Sequence, residues 1–386
     1  FKKTGGVGAF EQEFIDGMIR RGYDPNYAAR CFKQIQGFGS YGFPESHAVS
    51  FALLAYKSSW LKCHHPAIFA CALLNSQPMG FYQPAQIIRD AVEHRVEVRP
   101  VDINRSEWDC TLEEGRGGPA LRLGFRQVKG MREDAAITIA RERAGGYDTI
   151  RDLWRRTGLA VGILDRLADA DVFAPLGLDR RQALWEVKRL GGKPLPLFQA
   201  ADQTRRIGDN RPPVDMGDEP EATLPAMSLG EQVWADYRTK GLSLRTHPVS
   251  LLRPTLTGLG MGPAASLRDG KPGSMVGTAG LVLVRQRPGT ASGVIFVTLE
   301  DETGIANLVV WPSVLERFRR TLMTATLMGV RGRLQREGEV IHVVADRLID
   351  LSPHLHALND GPSSANETPY PDALPAQVFG EGRNFH

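Results

Sequence analysis

Few side chains in this sequence have a spacing that suits catalysis. Chemistry that uses two divalent metal ions about 4 Å apart needs carboxylates clustered on a rigid element. Asp169-Ala170-Asp171 is the only Asp-x-Asp pair in the chain, and in a helical segment residues two apart point in different directions. We therefore interpret the pair as solvated or capping. With no Gly-x-x-x-x-Gly-Lys-Ser/Thr phosphate loop and no local nucleophilic triad, we predict no catalytic residue in this chain.

Metal-ligating residue types also meet at Cys63-His64-His65 and Cys71. Cys63 and Cys71 are eight residues apart with Pro66 between them, unlike a C-x-x-C zinc knuckle. We favour structural roles and predict no metal site. Four widely separated cysteines in a long chain indicate reduced thiols and a cytoplasmic protein.

The segment from Val128 to Ile137 has the pattern of a helix-hairpin-helix motif. Gly130 would form a tight turn that exposes backbone N–H groups at a helix start, and Lys129 and Arg132 would add positive charge. Such a turn binds a DNA phosphate without reading bases. The alternative is an ordinary helical hairpin in which Gly130 only ends a helix. A degenerate second copy is predicted at 159–176.

A glycine-rich, aromatic loop at 37–48 ends in Ser46-His47 at the start of a predicted helix. A serine N-cap with a neighbouring histidine can contact a phosphate. Ser46 capping the helix is a sufficient explanation by itself, so the ligand role stays open at this point.

From residue 275 the sequence alternates in five strands, with a helical insert between the third and fourth. This is the arrangement of an OB-type barrel. Phe296 and Trp311 could stack on bases, although aromatic residues on strands more often belong to a core. Five arginines could follow the phosphates of a single strand: Arg285, Arg287, Arg331, Arg333 and Arg336.

The whole chain is consistent with a multidomain protein, mainly α in its N-terminal part and with an all-β five-stranded barrel after it. It has 386 residues, 42% of them hydrophobic, and a formal net charge of +3, which gives about two to four domains and only a weak indication of an anionic partner. No stretch approaches the roughly 18 apolar residues of a membrane span. The start at Phe1 without Met indicates a fragment.

Several motifs in the same order resemble bacterial C-family DNA polymerases. The resemblance covers about residues 1 to 351 and is carried by Gly37-Phe38-Gly39-Ser40-Tyr41-Gly42-Phe43-Pro44-Glu45-Ser46-His47-Ala48, Ser59-Trp60-Leu61-Lys62-Cys63-His64-His65-Pro66-Ala67, Arg99-Pro100-Val101-Asp102-Ile103-Asn104, Val128-Lys129-Gly130, Leu242-Ser243-Leu244-Arg245-Thr246-His247-Pro248 and the barrel.

The resemblance implies a domain order. It implies the C-terminal part of the polymerase fingers at 1–66, a post-fingers segment at 67–119, a tandem helix-hairpin-helix domain at 120–200, an acidic linker at 201–227, a helical connector at 228–274, an OB domain at 275–352 and a disordered tail at 353–386. It also implies that the catalytic palm, with the Mg²⁺ of the parent enzyme, lies upstream of Phe1. Ser46 and His47, and more weakly Lys57, become candidate nucleotide or template contacts.

Two departures resemble the error-prone, damage-inducible (ImuC-type) branch of that family. The place of the sliding-clamp peptide has the apolar Leu195, Leu197 and Phe198 but no leading Gln, which makes direct clamp binding doubtful. The chain also ends soon after the barrel. The resemblance therefore implies an accessory translesion-synthesis protein as a partner.

The leading hypothesis is a fragment of an error-prone DNA polymerase of translesion synthesis and DNA repair that binds primer–template and single-stranded DNA and is inactive without its palm. A second hypothesis is a protein-interaction platform whose barrel and acidic tail dock an accessory factor. A third is a truncated replicative polymerase subunit.

Overall fold

The structure is a computed structural model that describes residues 10–41, 45–78, 83–190, 224–288, 293–359 and 383–385. Of residues 37–41, 45–46 and 383–385 it describes only the backbone. The chain divides into two compact units, Phe1–Phe69 and Ala70–His386. The predicted clamp peptide, at Leu195, Leu197 and Phe198, lies outside the described residues.

The first unit is helical, as predicted. Helix α1 (Glu11–Arg20) packs on α2 (Pro25–Tyr41) through Phe14 and Phe32, whose ring centroids are 5.6 Å apart. The Asp24 side chain accepts a hydrogen bond from the amide of Tyr27 at 3.0 Å and so starts α2. Residues 37–41, predicted as a loop, continue α2.

Helix α3 (Glu45–His64) follows, and α4 (Pro66–Asn75) spans the division between the units. Large apolar side chains of α3 are exposed around the helix: Val49, Phe51, Leu53, Leu54, Tyr56 and Trp60. A helix that is apolar on every side is normally buried. This surface therefore suits burial against further polypeptide.

The second unit contains a small three-stranded sheet. After α5 (Pro84–Glu93) come β1 (Val98–Arg99), β2 (Thr111–Gly115) and β3 (Gly118–Arg122), in the order β1-β3-β2. Arg122 is buried, and its Nε donates to Glu113 Oε1 at 2.9 Å. This hydrogen bond holds the pKa of Glu113 at about 2.

A helical block and a helical connector follow. The block contains α6 (Glu133–Arg141), α7 (Ile150–Thr157), α8 (Val161–Asp169) and α9 (Arg180–Lys188), with 3-10 turns at Phe125–Gln127 and Ala174–Leu176. The connector contains α10 (Leu229–Lys240), α11 (Pro248–Gly258) and a 3-10 turn at Ala264–Arg268. Helix α10 begins with a capping box between Ser228 and Glu231.

The five-stranded barrel is confirmed. Strand β4 (Met275–Gln286) pairs with both β5 (Ile295–Asp301) and β7 (Leu327–Glu337), and β6 (Gly304–Val310) and β8 (Val340–Asp350) complete the circle. Helix α12 (Pro312–Thr324) connects β6 to β7, where the helical insert was predicted. The core of the barrel contains Val282, Val297, Leu308, Val330 and Val343.

The predicted disordered tail is wrong for two short segments. Residues Ser352–His356 form helix α13, and Leu355 is buried against α10 and α11. Residues Arg383–Phe385 form strand β9, which pairs in parallel with β4. Residues 360–382 lie outside the described part of the chain.

Within the described residues, no helix combines the length and the apolar character needed to cross a bilayer.

Candidate nucleic-acid interface

One row of side chains crosses the outer face of the barrel. Phe296 is in register with Val309, Val309 with Val344, Val344 with Arg333, and Arg333 with Met275. Residues in register on neighbouring strands lie on one face about 5 Å apart. None of the five belongs to the barrel core. The row joins an aromatic ring, three apolar residues and a cation on five adjacent strands.

A second row lies beside the first and is polar. Thr298 is in register with Asn307, Asn307 with His342, and His342 with Gln335. The Thr298 hydroxyl donates to Asn307 Oδ1 at 3.2 Å. The two rows together give an open face with apolar and hydrogen-bonding groups, which we call the barrel face.

One of the two predicted stacking residues, Phe296, lies on this face. Phe296 is half-buried, and Trp311, which directly follows β6, is 51% exposed. Phe296 pairs with Val309, two residues before Trp311. The use of these two rings as a platform for consecutive bases stays a prediction.

The predicted arginines separate into two groups. Arg333 and Arg331 are exposed on β7, and Arg331 also donates to the Leu259 carbonyl oxygen at 2.9 Å. Arg287 is exposed after β4. Arg347, which the sequence patterns did not single out, is exposed on β8 in register with Arg331. Arg333 lies on the barrel face, and Arg331 and Arg347 lie next to it at the end near the connector.

Arg285 corrects the prediction, whereas Arg336 has a backbone partner but is not fully buried. Arg285 is 5% exposed, and its Nε donates to the Leu322 carbonyl oxygen at 2.5 Å, at the end of α12. A buried arginine that satisfies carbonyl groups at a helix C-terminus does not contact a phosphate. Arg336 is partly buried and donates to the Arg268 carbonyl oxygen. Arg285 is therefore structural in this fold, and the single-strand role of Arg336 stays a prediction.

The connector covers one end of the barrel face. Strand β4 has Gly277 there, and a Cβ atom on that residue would lie 2.4 Å from the Gly260 carbonyl oxygen. Gly277 therefore permits the close approach of the segment that follows α11. The open part of the face begins at Met275 and Arg333, beyond this contact.

The predicted hairpin turn is present at Gly130. Its φ of +74° is in the left-handed region that favours glycine. The Gly130 carbonyl oxygen accepts a hydrogen bond from Arg166 Nη1 at 2.8 Å, which joins this turn to α8. The turn leads into α6, whose first residue is Glu133.

The two cations beside Gly130 differ in their partners. Lys129 Nζ donates to the Tyr237 carbonyl oxygen at 3.0 Å, and the Lys129 amide donates to the Thr239 carbonyl oxygen at 2.8 Å. Desolvation lowers the pKa of the Lys129 amine. Arg132 is mostly exposed and pairs with Asp134, a surface ion pair of little energetic weight. Both side chains are exposed, and the Lys129 amine is also bound to the connector.

Helix α10 fixes the hairpin block through a buried carboxylate. Asp236 accepts from Arg180 at 2.5 Å, from Lys240 at 2.9 Å and from Ser243 at 2.8 Å. Burial opposes the ionisation of Asp236, but the charges of Lys240 and Arg180 outweigh it and lower the pKa.

Two further carboxylates join the same interface. Asp169 accepts from Arg238, and Asp171 accepts from Arg245. The Asp-x-Asp pair is therefore bound to arginines rather than solvated.

A second charged cluster ties α5 and α11 to the barrel. Arg89 Nη1 donates to Glu300 Oε1 at 2.7 Å, and Arg253 Nη2 donates to Asp301 Oδ2 at 2.9 Å and to Glu302 Oε2 at 2.8 Å. These contacts hold the turn between β5 and β6, so they fix the strands that carry Phe296 and Asn307.

The fingers candidates lie on α3. His47 is exposed, and its ring centroid is 4.3 Å from that of Phe51. Lys57 is also exposed, about 15 Å further along the helix. Ser46 lies in the helix, but its side chain is outside the described residues. Their nucleotide or template role stays a prediction.

The part of the chain that the structure describes contains no group of three or more His, Cys, Asp or Glu residues able to hold a metal ion. Trp60 packs against His64 and His65, with ring centroids 4.8 and 5.5 Å apart. All four cysteines are free thiols.

Comparison with known families identifies the same two regions, the hairpin block and the barrel. Residues 95–183 match the helix-hairpin-helix motif, and residues 276–351 match the OB-fold nucleic acid binding domain. The first segment begins before the predicted boundary at residue 120, and the second fits the predicted OB domain.

Similar proteins carry one name. The chain is 53% identical over 379 residues to an error-prone DNA polymerase of Ruegeria pomeroyi, covering 97% of this chain and 33% of that protein. It is 51% identical to error-prone DNA polymerase 2 of Agrobacterium fabrum, with 93% and 33% coverage, and 48% identical to an error-prone DNA polymerase of Mesorhizobium japonicum, with 100% and 35%. The chain spans about a third of the length of these relatives. Over that third, it is a member of the error-prone DNA polymerase family.

Proposed function

We propose that this chain is the DNA-holding part of an error-prone DNA polymerase of translesion synthesis and DNA repair. The barrel face binds single-stranded template, and the Gly130 turn with Arg132 contacts the backbone of the primer–template duplex. The observation that carries the proposal is the row Phe296, Val309, Val344, Arg333 and Met275 on the outer face of an OB barrel.

The row suits single-stranded DNA because it combines ring faces with positive charge. Bases stack on exposed rings without regard to sequence, and cations beside them follow the phosphates. Phe296 and Trp311 supply the rings, and Arg333, Arg331 and Arg347 supply charge on two neighbouring strands. Sequence-tolerant binding is what synthesis across varied templates requires.

Binding of a fluorescein-labelled oligothymidylate, followed by anisotropy at several salt concentrations, tests this role. We expect Phe296→Ala and Trp311→Ala each to weaken binding about 5-fold to 150-fold, which corresponds to roughly 1–3 kcal/mol for each stacked base. Leu112→Ala removes an exposed apolar side chain outside the barrel and should bind like the parent chain. No affinity at low salt, or unchanged affinity of both aromatic variants, would reject the proposal.

We further propose that the catalytic palm and its Mg²⁺ ions belong to polypeptide outside this chain. Three observations support it: the chain spans about a third of its relatives, the described residues lack a metal-binding cluster, and α3 leaves apolar surface exposed all round. The chain alone should not extend a primer with Mg²⁺ and deoxynucleotides. Extension by purified chain would show that the catalytic residues lie within it.

The partner that fits the proposal is an accessory translesion-synthesis protein that recruits the polymerase. The polymerase would act in the bacterial cytoplasm. The alternative role as a protein-interaction platform makes a different prediction. It requires negligible DNA affinity, together with partner binding that is lost when residues 360–386 are removed. The salt titration separates the two because phosphate contacts make the logarithm of affinity fall linearly with that of salt concentration.

A further inference from the structure

The barrel leaves a short sheet edge open on β4. Strand β7 pairs with β4 only over Met275–Leu281, and the Val282 amide donates to the Thr326 carbonyl oxygen at 2.9 Å. Beyond this point β4 continues to Gln286. Within the described part of the chain, its strand partners there are β5 on one side and β9 on the other. The β4 edge therefore consists of Val284–Gln286.

The C-terminal strand occupies this edge. Val284 is in register with Arg383, Arg285 with Asn384, and Gln286 with Phe385, all in parallel. Open edges carry unpaired backbone donors and acceptors, and an added strand satisfies them without needing a particular side chain.

The pairing is short for the length of chain that it closes. Only three residues pair, and residues 360–382 separate them from the end of the α13 region. Closing a loop of that length costs conformational entropy, and only a few backbone hydrogen bonds offset this cost. We therefore expect a strand held in this way to exchange between bound and free states.

We propose that the β4 edge is a reversible strand-addition site for the C-terminal segment of this chain, which docks in cis and can also bind as a separate peptide. The site recognises an extended backbone in parallel orientation. Gln286 of this site is in register with Phe296 of the barrel face. The test of the site uses no DNA, so a failure of template binding and a failure of strand addition can be told apart.

Hydrogen exchange of the barrel amides tests the cis contact. Deletion of residues 383–386 should speed exchange within residues 284–286 at least 10-fold and leave β6 and β8 unchanged. Deletion of residues 365–368 removes the same number of residues but keeps the strand, and it should exchange like the intact chain. Unchanged β6 and β8 also show that each variant is folded.

A labelled peptide of residues 380–386 tests addition in trans. It should bind the 383–386 deletion saturably and the intact chain at least 10-fold more weakly, because the intact chain's own strand competes. Equal exchange of Val284–Gln286 in the three chains, or equal peptide binding to intact and deleted chains, would overturn the proposal.

Discussion

Lys129 and Tyr237 are joined by a hydrogen bond of 3.0 Å from the lysine amine to the tyrosine carbonyl oxygen. This contact ties the hairpin turn to α10 across 108 residues of sequence. The sequence indicated Lys129 as a phosphate ligand. In the structure this residue also holds the helical block on the connector.

Lys129→Met should therefore lower stability more than it lowers DNA affinity. The variant keeps the aliphatic stem and loses one hydrogen bond, so we expect a loss of about 1 kcal/mol in the free energy of unfolding, measured by urea denaturation. Arg132→Met is the matched control. It should leave stability unchanged and reduce the salt slope of duplex binding by about 1. If Lys129→Met instead kept its stability and lost salt-dependent duplex binding, Lys129 would be the phosphate ligand.

Gly130→Ala should destabilise the chain through the backbone alone. The nearest atom to an added Cβ is 3.6 Å away, on Arg166, which is an ordinary contact, whereas the φ of +74° is unfavourable for alanine by about 1–2 kcal/mol. Gly162→Ala is the control in α8, with ordinary φ and no atom within 4 Å. It should be neutral or slightly stabilising, and comparable losses in both variants would contradict this account.

The sequence predicted the barrel well because strand alternation and turn residues are local signals. The sequence did not predict that Arg285 is buried. The neighbours of Arg285 are set by a register shift in β4 between Val282 and Val284 and by the end of α12. The contact of Lys129 with Tyr237 was missed for a similar reason, since the two residues are 108 positions apart. The β2–β3 hairpin was missed because its strands are short and carry Glu113 and Glu114.

The barrel face could be predicted only as a set of candidate residues. Local alternation does not say which residues of different strands stand in register. The pairing of β6 with β8 is parallel and joins distant segments, so Phe296, Val309 and Arg333 became one row only in the folded structure.

Substitution of two barrel arginines should separate structure from binding. Arg333→Met should leave the free energy of unfolding within about 0.5 kcal/mol of the parent chain and reduce the salt slope of single-strand binding by roughly 1. Arg285→Met should instead lower the thermal midpoint, because the carbonyl groups of Leu322 and Ala325 lose their donor. If the folded Arg285 variant lost DNA affinity while keeping its midpoint, the structural role of that residue would be wrong.

His247 should make stability fall in mild acid. Its Nδ1 accepts a hydrogen bond from the Val249 amide at 3.3 Å, and its buried Nε2 has no partner among the described residues. Burial lowers its pKa to about 4, in the presence of Arg89, Arg253, Asp301 and Glu302. The unfolded chain, with a pKa near 6.5, takes up a proton before the folded chain does. The contribution of neutral His247 is therefore complete above pH 6.5 and decreases toward pH 4, by up to about 3 kcal/mol.

His247→Asn tests this without removing the helix cap, because asparagine is a good N-cap residue for α11. Urea denaturation between pH 4 and 7 should show a steeper dependence of the free energy of unfolding on pH for the parent chain than for the variant. Carboxylates such as Asp236, whose pKa is lowered, lose their contribution at lower pH in both chains, so the difference between the two curves isolates the histidine. Parallel curves would show that His247 takes up a proton as readily in the folded chain as in the unfolded one.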